Sequence, residues 1–173
     1  WQRDFGSISL PRTIGTYQFQ ESRSLAEDGS DTVLQYTRDN DPNEPATFYI
    51  YRSSYPNPAL WLPRSLAAIE MRFGADNITM SQAPQPFSIG PATGQNALAQ
   101  SFGMEIDDYV SGGVAMAQFG EWIVKLRVSS ASIEPEQLLS DMRALLAGVR
   151  YDGSQFAPLP LLTPEPCAHT VEF

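Results

Sequence analysis

A chain of 173 residues suits one domain, and at that size folding buries roughly 70% of the unfolded surface with no need of disulfides or metals. Its 42% hydrophobic and 18% charged residues argue against disorder. Eleven basic residues face twenty acidic ones, Lys125 being the single lysine, and the net charge of −9 repels nucleic-acid backbones and anionic lipid headgroups.

The first fifty residues read as β. Phe5, Ile8 and Leu10 precede Pro11, and Tyr17-Gln-Phe-Gln-Glu21 alternates aromatic with polar side chains, as a half-buried strand does. Glu27-Asp-Gly-Ser-Asp31 is a turn, where Gly29 supplies freedom in φ and the Asp and Ser side chains bond locally. Thr32–Thr37 and Ala46–Tyr51 are β-branched and aromatic, and Asp39–Glu44 between them reads as a hairpin loop. The period then becomes helical. Leu62, Leu66, Ile69 and Phe73 share one helix face, Gly74 sits where a C′ glycine belongs, and Pro63 is placed near the helix start, where a missing N–H does no harm.

A connection rich in Pro and Gly follows. Beyond it, Leu98, Phe102, Met104 and Ile106 share one strand face, opposite Ala97, Ala99, Ser101, Gly103 and Glu105. Asp107-Asp108 turns the chain into a segment ending Val114–Gln118, in which Gly112-Gly113 reads as a bulge or bend. A tight turn at Phe119-Gly-Glu121 leads to Trp122, Val124, Leu126 and Val128, alternating with Lys125, Arg127 and Ser129. Ser132-Ile-Glu-Pro-Glu136 opens a second helix with Ser132 as its N-cap, and Leu138, Met142, Leu145 and Val149 form its stripe. Further on, Phe156–Pro166 cannot sustain a helix and reads as extended or polyproline II.

The order predicts an α+β domain over residues 1–151 and an extended Pro-rich tail over 152–173. Two amphipathic helices, each with one apolar stripe, must cover a face of one antiparallel β-sheet. This strand–helix–meander–helix order, with Ser-Leu-Pro-Arg12 early and Glu136-Gln-Leu-Leu-Ser-Asp-Met-Arg-Ala-Leu-Leu146 late, resembles the Mog1/PsbP-like α/β/α sandwich over residues 5–150. The resemblance implies a small bacterial exported protein or lipoprotein, an accessory binding protein more than an enzyme, with no shared catalytic set to transfer.

The residues that carry chemistry are few. His169, the single histidine, stands two residues after Cys167, the single cysteine, so no internal disulfide forms and both cytoplasm and periplasm stay open. Cys167 and His169 resemble a thiolate–base pair or two metal ligands, but a structural zinc needs about four ligands and the simpler account is a tail that carries both. Val110-Ser-Gly-Gly-Val114 lacks the first glycine of a nucleophile elbow, and no Gly-rich stretch ends in Lys-Ser or Lys-Thr. Asp39-x-Asp41 resembles the start of a calcium loop without its glycine, leaving Glu44 as a loose surface ligand or, more simply, part of a solvated hairpin. Glu105, Asp107 and Asp108 are a candidate pair for glycoside hydrolysis against the plainer account of a solvated turn. Asn77-Ile-Thr79 is a glycosylation acceptor sequence that matters only in a eukaryotic secretory setting.

Aromatic residues offer more. Tyr49, Tyr51, Tyr55, Trp61 and Trp1 gather in sequence around the fourth strand and the approach to the first helix, as in surfaces that recognise proteins or sugars, although a strand covered on both sides explains the same pattern. Leu159, Leu161, Leu162 and Phe173 are apolar residues in a tail that cannot bury them within itself, so the tail docks on its own domain or on another chain. The sequence therefore points to a non-catalytic accessory or binding protein acting through protein contacts at Tyr49, Tyr51, Trp61, Leu159, Leu161, Leu162 and Phe173. No cofactor, metal, nucleic-acid partner or membrane span is expected. The alternatives are a hydrolase using surface carboxylates and a carrier of a small apolar ligand. The first residue is Trp1, as a cleaved export signal or a trimmed piece would each give, and the β patterns with the Pro-rich tail favour a periplasmic or otherwise exported protein over a cytoplasmic one.

Overall fold

The structure, a computed structural model, describes residues 2–5, 8–80, 82–90 and 96–152. Short β-rich segments come first, divided by turns: β1 (Gln2–Phe5), β2 (Ile8–Pro11), β3 (Thr13–Ile14), β4 (Tyr17–Ser24), β5 (Asp31–Arg38) and β6 (Pro45–Arg52). Asp39 and Asn40 take left-handed backbone angles in the β5–β6 hairpin, as short polar side chains tolerate. Helix α1 (Pro58–Phe73) follows, then a single 3-10 turn and the short strands β7 (Ile78–Met80) and β8 (Gln85–Phe87). The long meander of β9 (Ala97–Ile106), β10 (Tyr109–Phe119) and β11 (Trp122–Ser130) leads to α2 (Pro135–Ala147) and β12 (Arg150–Tyr151).

Every pairing among the described residues is antiparallel. A nine-stranded sheet runs β3-β4-β5-β6-β11-β10-β9-β7, with β8 also on the β9 edge, and β1-β2-β12 form a second sheet of three strands. The fold class is α+β. Because side chains alternate along a strand, β10 serves two cores at once. Ala115, Ala117 and Phe119 join the core under α2, with Leu138, Met142 and Leu145, while Val114 and Met116 join the core under α1, with Leu62 and Ile69. The two helices thus lie on opposite faces of one sheet.

Several sequence expectations are corrected here. The first helix starts at Pro58, capped by the Asn57 side chain, which accepts the Ala59 N–H at 3.0 Å, so Pro63 lies inside the helix and leaves the Ala59 carbonyl without its usual donor. Gly74 closes that helix as expected, with φ at 85° and its N–H on the Glu70 carbonyl. Glu134, not Ser132, is the N-cap of α2, because the Ser132 hydroxyl donates to Glu44 instead. Gly112 and Gly113 form no bulge: both pair in register with β9 and β11, and the irregularity lies between Tyr109 and Ser111. The glycines are spacers. A Cβ on Gly113 would lie 2.5 Å from Met142 of α2, and one on Gly112 would strike Phe102 and Met104 on the other face.

Candidate binding site

The face of the sheet beneath α1 is only partly covered. Helix α1 packs mainly on β9 and β10 and meets β6 and β11 near its two ends, through Trp61 on Tyr51 and Phe73 beside Arg127. Tyr49 and Tyr51 of β6 lie on this face, half-buried, while Phe48 and Ile50, which alternate with them, are fully buried on the α2 side. The strand is therefore apolar on one face and amphipathic on the other, rather than sealed on both.

At the N-terminal end of α1 the aromatic residues do meet. Tyr51 and Trp61 pack edge to face with centroids 6.1 Å apart, and the Trp61 indole N–H donates to the Tyr55 carbonyl at 2.9 Å. The Arg64 guanidinium lies 5.3 Å from the Trp61 ring centroid. Burial, with some help from Asp31, raises the Tyr51 phenol to about 12. Next to this pair, Tyr55 is 74% exposed and Leu60 49%.

Tyr49 stands apart from that group, at the other end of the helix. It lines a pocket of about 280 Å³ between the last turn of α1, the β9–β10 turn and the exposed-side residues of β6 and β11. Arg72 and Arg127 both approach the Phe73 ring in this pocket, at 5.2 and 5.1 Å from its centroid, and Lys125 caps Tyr49 at 4.1 Å just beyond. Burial, then the neighbouring Arg72, lowers the pKa of Arg127, and burial, then Arg127, lowers that of Lys125 against the pull of Asp31. The ion pairs among the described residues join Arg38 to Asp39 and Asp141, and Arg52 to Glu121. None includes Arg72, Lys125 or Arg127, although the chain carries nine more acidic than basic side chains.

Of the carboxylates singled out at the β9–β10 turn, one lines the pocket. Asp107 lines the pocket, at a left-handed backbone angle, whereas Glu105 and Asp108 are exposed and do not. Glu44 is not a solvated loop acid. It is 5% exposed, and its Oε1 accepts from the Ser130 hydroxyl at 2.9 Å, the Ser132 hydroxyl at 2.7 Å and the Ala131 N–H at 3.2 Å. It clasps the link from β11 to α2, which is a structural task. Among the described residues, no three His, Cys, Asp or Glu side chains gather as metal ligands. Asn77 of the acceptor sequence donates its side-chain N–H to the Phe73 carbonyl and so helps to close α1. No described helix is long and apolar enough to cross a membrane.

Trp1, Cys167, His169 and the tail residues Leu159, Leu161, Leu162 and Phe173 lie outside the described residues. Arg72, Phe73, Tyr109 and Arg127 are the pocket residues that sequence reasoning passed over. One signal was present: Lys125 and Arg127 are charges on alternate positions of a strand, a pattern that puts both on one face beside Tyr49 and Thr47 of the neighbouring strand. Comparison with known proteins finds no matching family model, no matching curated protein and no matching solved structure.

Proposed function

We propose that this chain is a non-catalytic accessory or binding protein that works through protein contacts, and that its partner docks at the N-terminal end of α1. One observation carries the reading: Tyr55 and Leu60 stand 74% and 49% exposed beside Tyr51 and Trp61, which are themselves fixed by mutual packing and the Trp61–Tyr55 hydrogen bond. Large aromatic side chains held rigid before contact lose little conformational freedom on binding, and such residues dominate the energetics of protein interfaces. The groups gathered on this face are mostly aromatic and cationic, suited to holding a partner, and of the acidic candidates Glu105, Asp107 and Asp108 one, Asp107, lines the pocket.

A helix on each face of an antiparallel sheet supports the resemblance to the Mog1/PsbP-like sandwich. That resemblance is the ground for placing the chain in a bacterial envelope complex. The tail residues Leu159, Leu161, Leu162 and Phe173 are proposed as a second contact. Native mass spectrometry on the protein isolated gently from its own source tests the reading. The expected result is a stoichiometric complex that Tyr55→Ala weakens by about 30-fold, the effect of losing an interface anchor worth about 2 kcal/mol. A bare monomer, or a complex indifferent to Tyr55→Ala and to deletion of residues 156–173, would overturn it.

A further inference from the structure

We propose that the pocket at the C-terminal end of α1 is a carboxylate-binding site, which takes a small acid carrying a flat apolar group. It stands independently of the docking patch at Trp61. Trp61 and Phe73 are twelve residues apart on one helix, about 18 Å along its axis, so the two regions are separate.

The charge of the pocket points to an anion. Two guanidiniums reach it, from Arg72 and Arg127, and neither has a carboxylate within ion-pair distance among the described residues. Arg127 is half-buried, on a strand in the middle of the sheet, with the Arg72 guanidinium as a neighbouring cation. A cation withdrawn from water with no counter-ion is unfavourable, and the imbalance is relieved when an anion enters. Neutral Met, Leu or Gln at position 127 would spare the chain this imbalance, yet an arginine stands there, in a protein of net charge −9.

The same lining selects the kind of anion. Arg72 and Arg127 bring two positive charges and Asp107 brings one negative, so the ionised lining sums to +1 (2 − 1 = 1) and matches a monoanion better than a dianionic phosphate. A guanidinium presents parallel N–H donors in the fork that a carboxylate accepts. Four hydroxyl side chains, Thr47, Tyr49, Tyr109 and Ser129, also line the pocket. None of the four uses its hydroxyl in a hydrogen bond with another described residue, which leaves donors and acceptors for a ligand. Phe73, Met104 and Ile106 supply an apolar wall. At about 280 Å³ the pocket stands at the small end of ligand sites, with room for a single ring and its acid group.

A carboxylate of this kind is carried either by a free aryl acid or by a chain ending in an aromatic residue. Phenylacetate and acetyl-Gly-Phe, each with its neutral amide as control, separate the two sources when titrated into the full ¹⁵N-labelled chain. The expected result is saturable shifts at the amides of Thr47, Phe73 and Ser129. The neutral amides bind at least about tenfold more weakly, and so does the acid to Arg127→Gln and to Arg72→Gln, the latter a change at an exposed residue that spares the fold. Arg23→Gln, an exposed arginine on β4, leaves affinity unchanged. Tighter binding of phenylacetate identifies a free acid as the source, and tighter binding of the peptide a chain terminus; both support the site. Amides that bind as well as acids, shifts that map elsewhere, inorganic phosphate that competes as strongly as phenylacetate, or an affinity indifferent to Arg72→Gln would overturn it.

Discussion

The two faces of the sheet are made from the same strands and closed in different ways. On one face α2 covers β9 to β11, and Ile8 and Leu10 of the three-stranded sheet join Leu34, Phe48 and Ile50 over the rest, so that Trp122, Val124, Leu126 and Val128 are all buried. The Tyr36 hydroxyl donates to the Pro11 carbonyl at 2.8 Å and ties the two sheets together. On the other face α1 lies mainly over β9 and β10. A helix is about 10–12 Å across and strands are about 4.8 Å apart, so one helix covers two strands or little more. The second sheet is what closes the α2 face. Nothing described does so on the α1 face, and that is where Tyr49, Lys125 and Arg127 stand half-buried.

If the comparison holds, neighbouring positions of one strand should differ sharply in what they contribute. Leu126 is fully buried under the α2 face, and Leu126→Ala should lower the unfolding free energy by about 2–5 kcal/mol, read from urea titration. A loss below about 1 kcal/mol would mean that this face repacks easily and is not the closed one. A smaller effect is expected where the helix meets the sheet. Gly113→Ala would push a Cβ against Met142 and should cost about 1–3 kcal/mol, since overpacking forces neighbours off their rotamers. Because the obstacle is the flexible end of a methionine, Met142→Ala in the same chain should recover part of that loss. Strictly additive losses would show that the Gln100 carbonyl, 3.3 Å from the same Cβ, is the true obstacle.

Much of the closed face was legible in the sequence, because burial on one side of a strand writes itself as strict alternation. Trp122, Val124, Leu126 and Val128 and the stripe Leu138, Met142, Leu145, Val149 lie in the core as their periods predict. What escaped was whatever depended on partners distant in sequence. Pairing of β12 with β2 joins the two ends of the domain through four residues, too few to show a period. Glu44 looks like a loop acid until the β11–α2 link, 86 residues later, brings Ser130 to it. Gly112-Gly113 carries the usual mark of a bulge, and only the proximity of Met142 and Phe102 shows that the small residues make space. The pocket was half legible. Tyr49 was singled out for its aromatic ring, but Arg72 and Phe73 reach it from the end of a helix whose placement the sequence does not state.

The weakest expected effect is also the one that addresses both faces at once, through alkaline pH. On the closed face Tyr17 is raised by burial, then by Asp141, and Tyr36 is raised by burial to about 12. On the open face Tyr51 is raised to about 12, and Lys125 is lowered by burial and Arg127. A phenol whose folded pKa exceeds its unfolded value of about 10 keeps its proton longer in the native state, so its contribution is complete below pH 10 and is lost as pH rises from 10 through 12. Lys125 acts in the opposite sense, since its ammonium is disfavoured in the fold. Stability gains as pH climbs from its lowered pKa to the unfolded value near 10.5. With Tyr151, which burial also raises, four tyrosines stand against one lysine and give a net decline above pH 10. Urea titrations at about pH 8, 9.5 and 11 should therefore show a drop confined to the last interval, shallower in Tyr36→Phe and steeper in Lys125→Met, which removes an opposing group. An unchanged slope in Tyr36→Phe would mean that this phenol ionises equally in both states, and that the seam between the two sheets admits water.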